Sequence, residues 1–412
     1  MRILYLCHRI PYPPNKGDKI RAYHQLTAMG SRHEVDLFTL ADHAVDPNHK
    51  AALERFCRPV TVIQLDPRWA RLRSLPYLLT DKPLTLPYFH SAELHHRVHE
   101  ALASRSYDRI FLYCSAMAQY VEEVTGIPMV ADLVDVDSDK WRQYAAKTSF
   151  PFSPIYRREA RCLSRYERAV CGFSARVVVS TEREAGLLRE IARDAEVTVI
   201  SNGIDTEYFR PSSYITGTGV PTVSFTGDMS YLPNKDAVLY FAKSVLPILR
   251  KSISEVRFLI IGRNPGPEVK KLARLAGVEV TGTVSDIRPY LAQTHVSVAP
   301  FSIAAGIQNK ILEALASGIP VVASSATARG LTRAVAEAVD VADDADEIAK
   351  KVLYLLQHPE LAAAKGAEGR RQVSVAYNWD RSMEELMTLV EYAGSTKTSS
   401  VPISTLAAVE RV

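Results

Sequence analysis

Lys310 and Glu313 are the pair in this chain whose types and spacing best suit shared chemistry. In Gly306-Ile-Gln-Asn-Lys310-Ile-Leu-Glu313 they stand three apart, so a helix puts them on one face near its start. A cation and a carboxylate behind a glycine loop fit a ligand with a phosphate end and a hydroxyl end. Helix-start N–H groups favour the anion, and one carboxylate can accept both hydroxyls of a vicinal diol. A second set is Asp135, Asp137 and Asp139. Three acids so close together could bind a metal with a diphosphate, or act as a base or hydroxyl acceptor. Equally, one could cap the next helix while the others stay solvated, and no metal is assigned. A third candidate is Gly17, in a loop of Pro, Asn and Gly ahead of a helix that the pattern starts at Asp18, its expected N-cap. Gly17 would let phosphates approach the backbone; an ordinary turn glycine reads the same way.

The elements that must hold these residues follow a repeating order. Apolar runs at 2–7, 34–40, 60–65, 109–114, 128–134, 176–180 and 197–200 read as strands of a first half. Helices are expected at 18–29, 90–104, 154–172 and 182–192. The acids follow strand 128–134, where ligands bind in open α/β sheets. Residues 212–221 read as a linker. The pattern then restarts with strands at 222–226, 256–261, 278–281, 296–301 and 319–323. Helices are expected at 236–249, 268–276 and within 306–318, followed by three terminal helices at 346–357, 359–377 and 379–393. The expected fold is α/β, two Rossmann-like domains (1–211 and 222–393) facing a cleft, with C-terminal helices and a flexible tail from 394.

Two basic stretches stand out. Residues 67–89 mix Arg68, Arg71 and Arg73 with Trp69, Leu72, Leu75 and Leu79. They suit a membrane surface or an amphipathic acceptor, or else a core-packed helix with solvated arginines. Helix 154–172 carries Arg157, Arg158, Arg161, Arg165 and Arg168, a solvated face or one turned to an anionic membrane.

Composition narrows the classes. A length of 412 residues argues for two domains, and 47% hydrophobic residues is ample for two cores. A net charge of +4 is too weak to indicate a nucleic-acid partner. Five cysteines without C-x-x-C spacing fit reduced thiols in a cytoplasmic protein. The apolar start is too short for a signal segment, and no run is long enough to span a membrane.

Several blocks then resemble a known family. Ser201-Asn-Gly-Ile-Asp-Thr-Glu-Tyr-Phe-Arg-Pro211 resembles the interdomain signature of retaining glycosyltransferases of family 4, and Phe225-Thr-Gly227 and 306–324 resemble its donor blocks. More narrowly, Pro14-Asn-Lys-Gly-Asp-Lys-Ile-Arg21, the acids ending in Lys140-Trp141, and Gly306-Ile-Gln-Asn-Lys310 are similar to sugar transferases of PEP-CTERM/exosortase-type exopolysaccharide loci. The resemblance covers about residues 1–393. It implies a GT-B fold, a nucleotide-sugar donor (UDP- or GDP-linked), no cofactor and no required metal. The acceptor would be lipid-linked or a growing polysaccharide, and the enzyme cytoplasmic with peripheral contact at the inner membrane. On that match Glu313 holds the ribose, while Gly306 and Gly17 lie against the diphosphate. Asp286 and the residues after Gly282 lie near the base.

The chain departs from the family at Ala305, in place of a glutamate, at Asp228, in place of an arginine, and at Asn234, in place of a lysine that Lys235 follows. Arg263 and Lys310 are then the expected diphosphate cations, with Lys235 assisting and Gln308 and Asn309 taking over part of donor recognition. Asp135 or Asp137 orients the acceptor hydroxyl, beside Lys140 and Trp141 on the acceptor side. The alternative is a non-catalytic nucleotide-sugar binding or scaffold protein of an export complex.

Overall fold

Short apolar runs separated by amphipathic helices produce two all-parallel sheets. In the computed structural model, which describes residues 1–211, 219–304 and 306–394, the first sheet has seven strands. They are β1 (Arg2–Cys7), β2 (Glu34–Ala41), β3 (Val60–Gln64), β4 (Arg109–Tyr113), β5 (Met129–Val134), β6 (Arg176–Val179) and β7 (Val197–Val199), in the order β3-β2-β1-β4-β5-β6-β7. The second sheet contains β8 (Thr222–Thr226), β9 (Arg257–Ile261), β10 (Val278–Val280), β11 (Val296–Ala299), β12 (Val321–Ala323) and β13 (Asp340–Val341), in the order β10-β9-β8-β11-β12-β13. The inner strands of both sheets are buried on both faces, as parallel strands under helices must be, while the edge strands β3, β7, β10 and β13 are partly exposed. The two-residue β13 escapes sequence reading because so short a run carries no periodicity.

The helices used below are α1 (Gly17–Gly30), α2 (Pro67–Ser74), α3 (Asp137–Lys147), α4 (Phe152–Phe173), α5 (Leu232–Tyr240), α6 (Asn309–Ala316), α7 (Pro359–Ala376) and α8 (Trp379–Tyr392). No described helix is long and apolar enough to cross a membrane.

Contacts divide the chain into Met1–Ser201 with Asp380 onward, and Asn202–Trp379. This differs from the sequence reading at both ends of the second half. Residues 202–211 belong to the second unit because Arg370 of α7 donates to the carbonyls of Thr206 (3.0 Å), Phe209 (2.8 Å) and Ala316. Helix α8 belongs to the first unit: Arg109 donates to the carbonyls of Val390 and Glu391, both at 3.0 Å, and His33 pairs with Glu391. Such long-range contacts leave no local trace in sequence. Most of the expected linker, all but the first residue of the expected tail, and Ala305 lie outside the described residues.

Three buried glutamates brace the first unit. Glu159 accepts from the backbone N–H groups of Leu84 and Thr85, Glu167 from Ser138, and Glu184 from Val136. Each satisfies turn or helix-start donors that would otherwise be buried without a partner. Burial, only partly offset by the Ser138 hydrogen bonds, pushes Glu167 up to about 8.

Candidate functional site

In the second unit the chain leaves β8 toward β9 and β10 on one side and returns to β11 on the other. Crevices at such switch points, beyond the carboxyl ends of strands, are where open α/β sheets bind ligands. Phe225 of β8 and Phe301 just beyond β11 place their ring centroids 5.6 Å apart there. The Lys310 ammonium, from the first turn of α6, lies 4.4 Å from each ring centroid. It donates to Asn234 Oδ1 at 2.6 Å, while Asn234 Nδ2 donates to the Asp228 carbonyl at 2.8 Å. Two ring faces attract a cation, so the lysine is held by geometry that alanine scanning can test.

The cluster is built around glycines with a steric reason. A Cβ on Gly262 would stand 1.7 Å from the Gly227 carbonyl oxygen, so the loops after β8 and β9 meet backbone to backbone. Gly306 holds φ +57°, a conformation that other residues seldom adopt. Beside these loops Arg263 Nε pairs with Asp228 Oδ2 at 2.9 Å, and Asn264 Nδ2 donates to the same carboxylate. Burial opposes ionisation of Asp228, but hydrogen bonds from Ser230, Asn264 and Arg263 outweigh it and hold the acid at about 2.

Glu313 follows Lys310 on the same helix face. Burial pushes Lys310 down to about 7, against the pull of Glu313, and pushes Glu313 up to about 7, against the pull of Lys310. Both residues are half-buried overall. Asn309 opens α6, and its Oδ1 lies 3.5 Å from Asn202 Nδ2. Gln308 occupies the N-cap position. Lys235, one residue beyond Asn234 in the first turn of α5, is turned about 100° around that helix. Its ammonium pairs instead with Glu268 at 2.9 Å. Asp286 is bound by Arg288 at 2.7 Å, whose guanidinium stacks 3.9 Å over the Tyr208 ring.

The first unit has its own switch point, between β1 and β4. His8 follows β1, stacks on Tyr113 of β4 (centroids 5.8 Å apart), and has Nε2 3.8 Å from Asp18 Oδ2. Burial, reinforced by Arg9, lowers the imidazole to about 4, so it is neutral at pH 7. Gly17 is exposed as the first residue of α1. Asp18 is not the N-cap expected from sequence: Lys16 holds that place without a side-chain cap, and Asp18 accepts from Arg9 at 2.9 Å. Cys114 (φ +80°) and Val134 (φ +64°) carry backbone strain at the ends of β4 and β5. Strain of this kind collects at functional sites.

The three acids beyond β5 diverge. Asp135 accepts from Ser180 Oγ at 3.2 Å, Asp137 from Lys140 at 3.0 Å, and Asp139 from Arg142, Gln143 and Arg183. Among the described residues no group of three or more His, Cys, Asp or Glu side chains is arranged to hold a metal. Burial, with Glu184 nearby, pushes Asp135 up to about 7. Trp141 packs on Tyr156 and Tyr144, with centroids 5.1 and 5.8 Å away. Sequence reading missed His8 and Phe301, and took Phe225 only as part of a donor-like block. Each lies at or just beyond the carboxyl end of a core strand at a switch point, but which strands flank the switch is a matter of topology.

Comparison with known proteins bears on both units. The folded chain superimposes on sucrose-phosphate synthase from Thermosynechococcus elongatus with a TM-score of 0.71 at 17% identity, covering 95% of this chain and 98% of that one. It superimposes on Anabaena HepE in complex with UDP-glucose with a TM-score of 0.66 at 17% identity, covering 95% and 99%. The fold is that of the GT-B glycosyltransferases. Residues 220–358, which hold the Lys310 crevice, match the family of glycosyl transferases group 1. The D-inositol 3-phosphate glycosyltransferase of Nocardiopsis dassonvillei is 29% identical over 256 residues. That alignment covers 56% of this chain and 58% of the relative. The GT-B architecture accounts for the two sheets and the terminal helices.

Proposed function

We propose that this chain is a glycosyltransferase that moves a sugar, with retention, from a UDP- or GDP-linked donor to a lipid-linked or growing exopolysaccharide acceptor. The observation that carries the reading is the Lys310 ammonium between Phe225 and Phe301 at the switch point, with Glu313 one turn on, inside the segment that matches group 1 transferases. Departure of the leaving group puts negative charge on the diphosphate, and fixed cations aimed there stabilise the transition state. Lys310 acts as a point charge and Arg263 as the bidentate partner. The positions that carry Asp228 and Asn234 thus each keep a cation in contact, Arg263 and Lys310 respectively. The Gly306 backbone, Gln308 and Asn309 line the phosphate and sugar end, and Glu313 accepts the ribose hydroxyls. In the first unit Asp135 or Asp137 orients the acceptor hydroxyl beside Lys140 and Trp141. There Gly17 heads α1, whose first N–H groups suit an anion. The UDP-glucose bound by HepE favours uridine in the donor.

A thermal-shift panel of uridine, guanosine and adenosine diphosphate sugars tests the donor. The right nucleotide at about 100 times its Kd stabilises the fold by about 2.7 kcal/mol, a shift of a few degrees. No shift with any of the three would overturn the reading. Glu313→Ala should weaken that donor by about 100-fold in calorimetry, in line with two lost hydrogen bonds to a charged group. Unchanged affinity would remove Glu313 from the site. Transfer should persist in chelator, and the product's anomeric proton should show the donor's configuration by NMR; loss of activity in chelator would put the acids beyond β5 back into a metal role.

A further inference from the structure

Residues 67–79 wear their apolar stripe outward. Trp69, Leu72, Leu75 and Leu79 follow helical spacing and are 71%, 54%, 55% and 93% exposed, whereas Ala70 and Ser74 on the opposite face are 1% and 7% exposed. A surface helix of a globular protein ordinarily does the reverse. The stretch is firmly anchored. Arg158 of α4 donates to the carbonyls of Tyr77 (2.5 Å), Thr80 and Lys82 (2.8 Å), and Arg73 donates to the Pro87 carbonyl at 2.9 Å. Buried Glu159 accepts from Leu84 N–H at 2.7 Å just beyond. Polar anchors therefore fix the backbone while four large apolar side chains are held in water.

A basic stripe borders the apolar one. The face of α4 that carries Arg158 continues as Arg161, Arg165 and Arg168, at three-, four- and three-residue steps, and all three are exposed. Arg165 lies 3.9 Å from Asp81, in the turn after Leu79, which places the two stripes side by side.

We propose that this face of the first unit docks on an anionic lipid bilayer. Trp69, Leu72, Leu75 and Leu79 enter the headgroup–acyl boundary, and Arg161, Arg165 and Arg168 meet the lipid phosphates. Outward Trp and Leu flanked by arginine is the composition of interfacial helices, and basic residues next to an apolar stripe match the negative charge of such a surface. A second copy fits less well, because the same face of another copy carries the same positive stripe and supplies no anionic surface to answer it. This goes beyond the transfer reaction and stands without it.

Co-sedimentation of the full chain with phosphatidylglycerol/phosphatidylcholine vesicles tests the proposal. Binding should appear at low salt, fall by about tenfold or more with phosphatidylcholine alone, and weaken as salt rises. Vesicles should shift tryptophan emission to the blue, and Trp69→Phe should remove the shift while Trp141 and Trp379 remain. Leu72→Asp/Leu79→Asp should abolish binding, and Arg161→Gln/Arg165→Gln/Arg168→Gln should remove the preference for anionic lipid; unaltered thermal melting shows that both variants fold. Absent binding to phosphatidylglycerol vesicles, or binding untouched by Leu72→Asp/Leu79→Asp, overturns the proposal. So does self-association without vesicle binding that the same substitutions abolish, which would assign the face to a second copy.

Discussion

Lys310→Ala should lower sugar transfer by a factor of about 10²–10³, measured as nucleoside diphosphate release with membrane extract as acceptor source. The ammonium sits between two rings and on Asn234, so it is positioned before any ligand arrives. A cation that need not reorganise is worth most where charge develops. Near-wild-type turnover would discard its role. The same residue predicts a pH signature. A diphosphate favours the charged lysine, and a ribose diol favours the charged glutamate. Free Lys310 lies at about 7, lowered by burial, and free Glu313 at about 7, raised by burial. Above pH 7 donor binding must therefore add a proton to Lys310, and below pH 7 it must remove one from Glu313. Affinity should peak near 7 and fall on both sides. Calorimetry in buffers of different ionisation enthalpy should show proton uptake at pH 8 and release at pH 6. Affinity flat from pH 6 to 8 would contradict the pairing.

Asp132→Ala should cost about 3–5 kcal/mol of stability, read from urea denaturation of the first unit's signal. Arg21 and Asp132 are both fully buried and pair at 2.7 Å. Gln25 donates to the same carboxylate, Arg21 donates to the Ile200 carbonyl at 2.8 Å, and Tyr5 donates to Gln25 at 2.7 Å. The network joins α1, β1, β5 and the end of β7. Removing only the acid leaves a buried guanidinium without its counter-charge, the costly case for such pairs. Arg21→Met/Asp132→Leu should therefore be less damaging than either single change, a non-additivity that a double-mutant cycle measures. A loss under about 1 kcal/mol for Asp132→Ala would show that water or Gln25 compensates the charge.

The legibility of the site follows the range of each interaction. Lys310 and Glu313 could be placed on one helix face from spacing alone, because helical geometry is local. Gly262 and Gly306 were readable as glycines but not as contacts. That Gly262 has no room for a side chain depends on Gly227, 35 positions earlier. Asp135, Asp137 and Asp139 read as one cluster because they are close in sequence, yet the turn after β5 and the helix that follows send them to Ser180, Lys140 and Arg183. Lys235 and Asn234 are neighbours, and one helical step separates an ion pair with Glu268 from the Lys310 crevice.

By itself the sequence determined two parallel α/β halves, the helix that carries Lys310 and Glu313, and the mixed arginine and leucine composition of 67–79, since period and composition are local properties; that those leucines face outward came from the structure. Only the tertiary structure decided that Phe225 and Phe301 flank Lys310, that Arg263 meets Asp228, that His8 sits at the first unit's switch point, and that α8 returns to the first unit. Those facts depend on strand order and on contacts between residues far apart in the chain, and strand order is set by the packing of whole sheets rather than by any one segment.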